Sequence, residues 1–269
     1  MKFGIREICN VVLKAKKAGK VLGIDAVAGQ PILWFDSLKT SGLEGTGETV
    51  YARGGRGNAK LIAWEGDKEV TFTMEDALLS PLSLALLVGA NEVKTATTGL
   101  TKHIMEEVSV VGGSPDYTYT PVGTPYICDP QDPSISLETA EGYSTVFVDY
   151  YTNVSATEGT GAFVAKQMTQ VDISPEAFGV NFYLEGETLF RDKDGIDHAA
   201  EIIIPQCRVQ SNFSFNMSSS GDPSTFTFTM DAIPDKIIGG SKKVICVIQI
   251  TDDDEDIETT NVMDDDEEE

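Results

Sequence analysis

Histidine and positive charge are what this chain has least of. Its 269 residues contain 2 histidines, His103 and His198. Neither sits in an HExxH pattern or at metal-ligand spacing, so metalloenzyme readings lack their usual residue. Lys and Arg number 20 against 43 Asp and Glu, a formal net charge of -23. That balance excludes a protein that grips nucleic acid by neutralising phosphates. The four cysteines, Cys9, Cys128, Cys207 and Cys246, are scattered with no CxxC pair. A zinc site and a disulfide framework are therefore not indicated, and a reducing compartment fits best. No run reaches the ~18 consecutive apolar residues of a membrane span. The opening MKFGIREICNVVLKAKKAGKVLG threads basic residues through its apolar ones, where a secretory signal needs an unbroken apolar stretch. The expectation is a protein that is soluble and cytosolic when made.

Phosphate cradles are missing too. YARGGRGNAK (51–60) is basic and glycine-rich, but it lacks the GxxxxGK[ST] spacing and ending, and GxGxxG does not occur. RDKDGIDHAAE (191–201) gathers Asp192, Asp194, Asp197 and Glu201, yet an EF-hand loop requires glycine at its sixth position, which is Asp197 here. Asp194-Gly195 reads better as the turn of a hairpin between FYLEGETLF and AEIIIP. No Ser/His/Asp or Cys/His constellation can be assembled from such sparse material. The expectation is no enzyme, no cofactor and no metal.

Alternation is what the chain does have. VTFTMEDAL (70–78) places Val70, Phe72 and Met74 on one face of a strand and Thr71 and Thr73 on the other, and FTFTMDAI (226–233) repeats the pattern with Phe226, Phe228 and Met230 against Thr227 and Thr229. Phe213, Phe215 and Met217 alternate just before it, across the turn-rich SSSGDPS (218–224), which predicts a hairpin. Further strands are expected at 9–16, 31–38, 60–66, 145–151, 179–187, 200–209 and 243–250. Trp34 and Trp64 lie in apolar strand patterns that predict core packing. With 41% apolar residues the chain can bury a core, and the class is mainly β, a β-sandwich or partly closed barrel.

One segment departs from this rule. In EDALLSPLSLALLVGA (75–90), Ser80 and Pro81 suit the N-cap and first turn of a short helix and Gly89 its end. Leu82, Ala85 and Leu86 form its expected buried stripe, widened by Leu84, Leu87 and Val88. PEAFGV (175–180) suggests one helical turn. Pro115, Pro121, Pro125, Pro130 and Pro133 within 114–136 predict an irregular surface excursion. The expected organisation is a single β domain over 1–250 with a Pro-rich insertion around 99–180, then an acidic, mobile tail at 251–269. A long loop is expected over 39–60. Its Arg53 and Arg56 either meet carboxylates on a neighbouring copy through bidentate pairs or sit on an idle hairpin tip.

ILWFDSLKTSGLEGTGETVYARGGRGNAKLIAWEGDKEVTFTMEDALLSPLSLALLVGA (32–90) resembles the N-terminal half of tail tube proteins of contractile-tailed bacteriophages. IIIPQCRVQSNFSFNMSSSGDPSTFTFTMDAIPD (202–235) resembles their C-terminal half, with an IP-containing strand and a GDP turn. The resemblance implies a virion protein with a flanking helix. Its subunits form hexameric rings whose inner sheets join into one inter-subunit β-barrel, stacked as a conduit for genome delivery. On that reading the loop Arg53, Gly54, Gly55, Arg56 and Asn58 is the expected homo-oligomer contact. The partners would be tail sheath, tape measure and baseplate or terminator proteins, and DNA would pass without specific binding. Another virion component on the same fold is the alternative: a tail terminator, a baseplate hub ring or a capsid decoration protein. A carbohydrate-binding sandwich with Trp34, Trp64, Tyr117, Tyr119 and Tyr126 as a platform is the alternative from another class.

Overall fold

A computed structural model describes residues 2–5, 7–96, 98–177, 179–214 and 225–251. The principal elements in chain order are β1 (Asn10–Ala15), β2 (Pro31–Phe35), β3 (Leu38–Gly54), β4 (Ala59–Asp76), α1 (Pro81–Val88), β5 (Thr101–Val111), β6 (Pro121–Cys128), β7 (Thr145–Ser155), β8 (Asn181–Asp192), β9 (Asp197–Val209) and β10 (Phe226–Ala232). The architecture is mainly β, as the alternation predicts. The chain divides into two compact units, one built from Met1–Glu92 with Ile173–Glu269 and one from Val93–Asp172.

The first unit holds a nine-stranded sheet ordered β2-β1-β8-β9-β10-β4-β3, with Phe3–Ile5 added on β8 and Val247–Ile250 on β9. The repeated motifs are neighbours in it. β4 and β10 run antiparallel with Phe72 opposite Met230, Met74 opposite Phe228 and Thr73 opposite Thr229. All four apolar side chains are fully buried, whereas Thr71, Thr73 and Thr229 are half-buried and Thr227 is exposed. Phe35 meets the Phe228 ring edge-on at 5.2 Å, and Val11, Leu13, Leu184 and Ile204 extend the same core across the sheet. Pro205 is tolerated inside β9 because the register breaks there. Its carbonyl accepts a hydrogen bond from Lys16 Nζ at 2.7 Å.

Local signals place α1 where the sequence predicts it. Ser80 and Ser83 form a reciprocal capping box, Pro81 opens the helix and Gly89 closes it at φ 69°. Ala85, Leu86, Leu87 and Val88 are buried, while Leu82 is only half-buried. The 191–201 turn is also a hairpin connection, between β8 and β9. It spans four residues, with the Asp192 carboxylate accepting from the Asp194 and Ile196 amides at 2.8 and 2.9 Å.

The second unit carries a six-stranded sheet, Ser114–Pro115, β5, β7, β6 and Ser136–Leu137 in order, with Phe163–Val164 parallel to β7. Val108, Ala140, Val146, Val148 and Tyr150 form its core, against which Tyr117 and Tyr119 pack. The Pro-rich stretch is therefore not irregular throughout. β6 runs through it, with Pro121 as the first strand residue and Pro125 at the register break between Val122 and Tyr126, the two places a strand accepts proline.

Several expectations change. The 39–60 loop is two strands, β3 and the start of β4, joined by a turn at 55–58. Trp34 and Trp64 are not core residues, with 67% and 52% of their surface exposed. Residues 211–214 form no strand, and β10 pairs with β4 and β9; the expected SSSGDPS turn lies outside the described residues. At 174–177 there is one turn, closed by Ala177 N–H to Ser174 O at 3.2 Å, and no helix. The 243–250 strand is broken into Lys243–Val244 and Val247–Ile250. The acidic tail after Thr251 also lies outside the described residues.

Candidate functional site

β3 and β4 stay paired from Leu38–Asp76 to Gly54–Ala59, but β10 supports β4 only as far as Thr71. Beyond that row the two strands form a ribbon with no third strand among the described residues. Val50 lies opposite Trp64 and Ala52 opposite Ile62 on one face, and Tyr51 opposite Ala63 on the other. Leu61, 64% exposed, sits in a bulge. A two-stranded ribbon is marginal in water on its own, and in this one Val50, Leu61, Ile62 and Trp64 are left exposed by the described residues. Gly66 permits a second bulge, because a Cβ there would come within 3.1 Å of the Glu48 carbonyl oxygen.

Arg53, Gly54, Gly55, Arg56 and Asn58 all stand at the ribbon's tip. Gly55, Gly57 and Asn58 take φ values of 78°, 87° and 51°, and the Asn58 amide donates to Gly55 O at 3.2 Å. Lys60, opposite Arg53, holds its ammonium 3.8 Å from the Tyr51 ring centroid. At the sheet's two ends, β3 is bonded only to β4 and β2 only to β1, leaving two open edges among the described residues.

The sheet face opposite the core is acidic around β8 and β9. Lys14 pairs with Glu185, while Glu187 stands directly across from Glu201. Burial pushes the Glu201 carboxyl up, and the charges on Glu185 and Glu187 add to this. These two strands, with Glu7, Asn10 and Gln249, line an open cavity of about 570 Å³. Sequence reading missed this pairing, which depends on register and carries no local signal.

The remaining candidates form local pairs and a small cluster at the β8–β9 turn. His103 Nε2 lies 2.6 Å from Asp149 Oδ1, and His198 is buried 3.6 Å from Asp192. The Asp192 carboxyl is held low, chiefly by the Ile196 amide, and Arg191 clamps Asp197 with two bonds of 2.6 and 2.5 Å. Among the described residues no group of three or more His, Cys, Asp or Glu is placed to hold a metal, and no helix is long and apolar enough to cross a membrane. Tyr117 and Tyr119 pack on the core of the second unit while Tyr126 is exposed.

The chain is mainly β, with an extended two-stranded arm and, among the described residues, two open sheet edges, and its class is that of structural β proteins. More particularly, it belongs to the YomU/Tube protein family, whose model matches residues 5–244. It is thus a phage tube-type structural protein, a virion component that takes part in a multi-subunit tail. No curated protein matches the chain.

Proposed function

We propose that this protein is the tail tube subunit of a contractile-tailed phage, assembling as hexameric rings stacked into a conduit for the genome. The ribbon carries the reading. Among the described residues its apolar side chains are bare on both faces, and another chain supplies the surface to cover them. Arg53, Gly54, Gly55, Arg56 and Asn58 at its tip are the assembly residues. The open edges of β2 and β3 lie at opposite ends of the sheet order, which suits head-to-tail strand pairing that closes around a ring.

Thr71, Thr73, Thr227 and Thr229, with Glu75 and Asp231, form a hydroxyl and carboxylate row on the face away from the core. On this reading that row faces the channel, where carboxylates repel phosphate and DNA slides without specific binding. The sheath lies outside, the tape measure inside, and baseplate or terminator proteins at the ends. Electron microscopy of the concentrated, purified chain tests the proposal. Tubes or rings with sixfold end-on views are expected, and monomers at every concentration overturn it.

A further inference from the structure

Among the described residues, three directly opposed cross-strand pairs bring like charges together, which weakens a sheet. Lys236 faces Lys243, but beside it is the carboxylate of Asp235, held low first by Lys16 and also by Lys243. The other two are only partly relieved, by the Tyr51 ring under Lys60 and by the charge of Lys14 near Glu201. Arg53 faces Lys60 at the ribbon tip, and among the described residues Arg53, Arg56 and Lys60 make no ion pair. Glu187 faces Glu201, and the nearby cation Lys14 is engaged by Glu185. Glu7, at the rim of the same cavity, lies in the field of Arg191, itself bound to Asp197.

We propose that the ribbon tip of one copy docks on the Glu187–Glu201 cavity of a second copy, with Arg53 and Lys60 over the two carboxylates and Arg56 at the cavity mouth. Both pairs are directly opposed residues of antiparallel strands, so each spaces its Cβ atoms by about 4.5–5.5 Å. Two cations therefore meet two carboxylates without distortion of either strand pair. Guanidinium–carboxylate bonding adds orientation to charge. The tip stands about ten residues beyond the last row that β10 supports, roughly 30 Å at the rise of a strand, which gives the arm the reach to cross to a neighbour. Tip and cavity are different patches, so the contact is head-to-tail and repeats from copy to copy. This contact rests on the reading that the chain assembles with itself.

Full-length R53E/K60E and E187K/E201R are the test, with far-UV circular dichroism and thermal unfolding confirming that each is folded. Alone, each is expected to form no tubes under conditions where the wild type does. Mixed in equal amounts they restore assembly, because one junction is then wild type and the other is charge-reversed on both sides. E187Q/E201Q, which keeps the shape, should raise the concentration needed for assembly by about tenfold and flatten its salt dependence. If both glutamate variants assemble like the wild type while R53E/K60E does not, the arm docks elsewhere and this contact is wrong, with the tube reading intact. A wild-type chain that stays monomeric overturns the tube reading itself and the contact with it.

Discussion

Phe228 lies directly across from Met74, the two residues coming from separate copies of one Thr-Phe-Thr-Met motif. Both are fully buried, and Phe72 and Met230 repeat the relationship one step along. The motif is written twice because two adjacent strands need the same face in and the same face out. Phe228→Ala is expected to cost the unassembled subunit about 3–5 kcal/mol, since lost burial is compounded by a cavity. Thr229→Ser, on the opposite face, should cost within about 0.5 kcal/mol. Combining Phe228→Ala with Met74→Ala should cost less than the sum, because the two share one cavity. Urea unfolding checks all of these, and equal losses on both faces would contradict the assignment.

The parts of the fold that were legible in sequence are those fixed by local chemistry or by a buried face. Ser80-Pro81 and Gly89 mark α1 without help from the rest of the chain. The repeat shows its alternation because one face of β4 and β10 is buried. The ribbon was illegible for the converse reason. With neither face buried, TSGLEGTGETVYARGGRGNAK has no period of two to display, and its glycines and polar residues read as a loop. Trp34 and Trp64 misled in another way, because apolar character predicts cover but does not say which chain provides it. Glu187 and Glu201 face each other only through the register of β8 on β9.

Glu106 supplies a pH-dependent contact in the second unit. Its carboxylate accepts from the Tyr150 hydroxyl at 2.7 Å and from the Thr118 amide and hydroxyl at 3.1 and 2.7 Å. Burial pushes this carboxyl up, but the bonds from Tyr150 and Thr118 outweigh it and the net direction is down. Its stabilisation is therefore present above the ordinary glutamate pKa of about 4.3 and is lost as pH falls through the lower folded-state value. The Tyr150 phenol is pushed up to about 12, first by burial and then by Glu106, so it stays a donor throughout. Tyr150→Phe should destabilise this unit by about 1–2 kcal/mol at neutral pH, and Glu106→Gln should flatten the acid side of its stability profile. Chemical denaturation between pH 3 and about 7 decides, and an unchanged profile in Glu106→Gln would rule the contact out as the source.

Trp34 and Trp64 are the two tryptophans of the chain, and both are more than half exposed in the single copy. Assembly that covers the ribbon should shift tryptophan emission to the blue and protect it from a soluble quencher. Trp34→Phe leaves Trp64 as the only reporter on the arm. Emission that stays fully quenchable after tubes form would place Trp64 outside every contact.

Val93 pairs with Val171, and Lys94 with Gln170, at the two ends of the second unit. Lys94 and Asp172 close that stem with an ion pair of 2.6 Å. Chain entry and exit therefore lie side by side, as they do where one folded segment is inserted into another. Replacing 93–172 with a short Gly-Ser linker is expected to leave the nine-stranded sheet intact, because closing such a short gap costs little loop entropy and every strand of that sheet comes from outside the excised segment. The shortened chain should remain soluble, keep a β-type circular dichroism spectrum and unfold in one cooperative step. Its capacity to form tubes then separates the two units by role. Assembly without 93–172 assigns the tube contacts to the first unit, whereas a chain that loses cooperative unfolding shows that residues 93–172 are needed for the sheet itself.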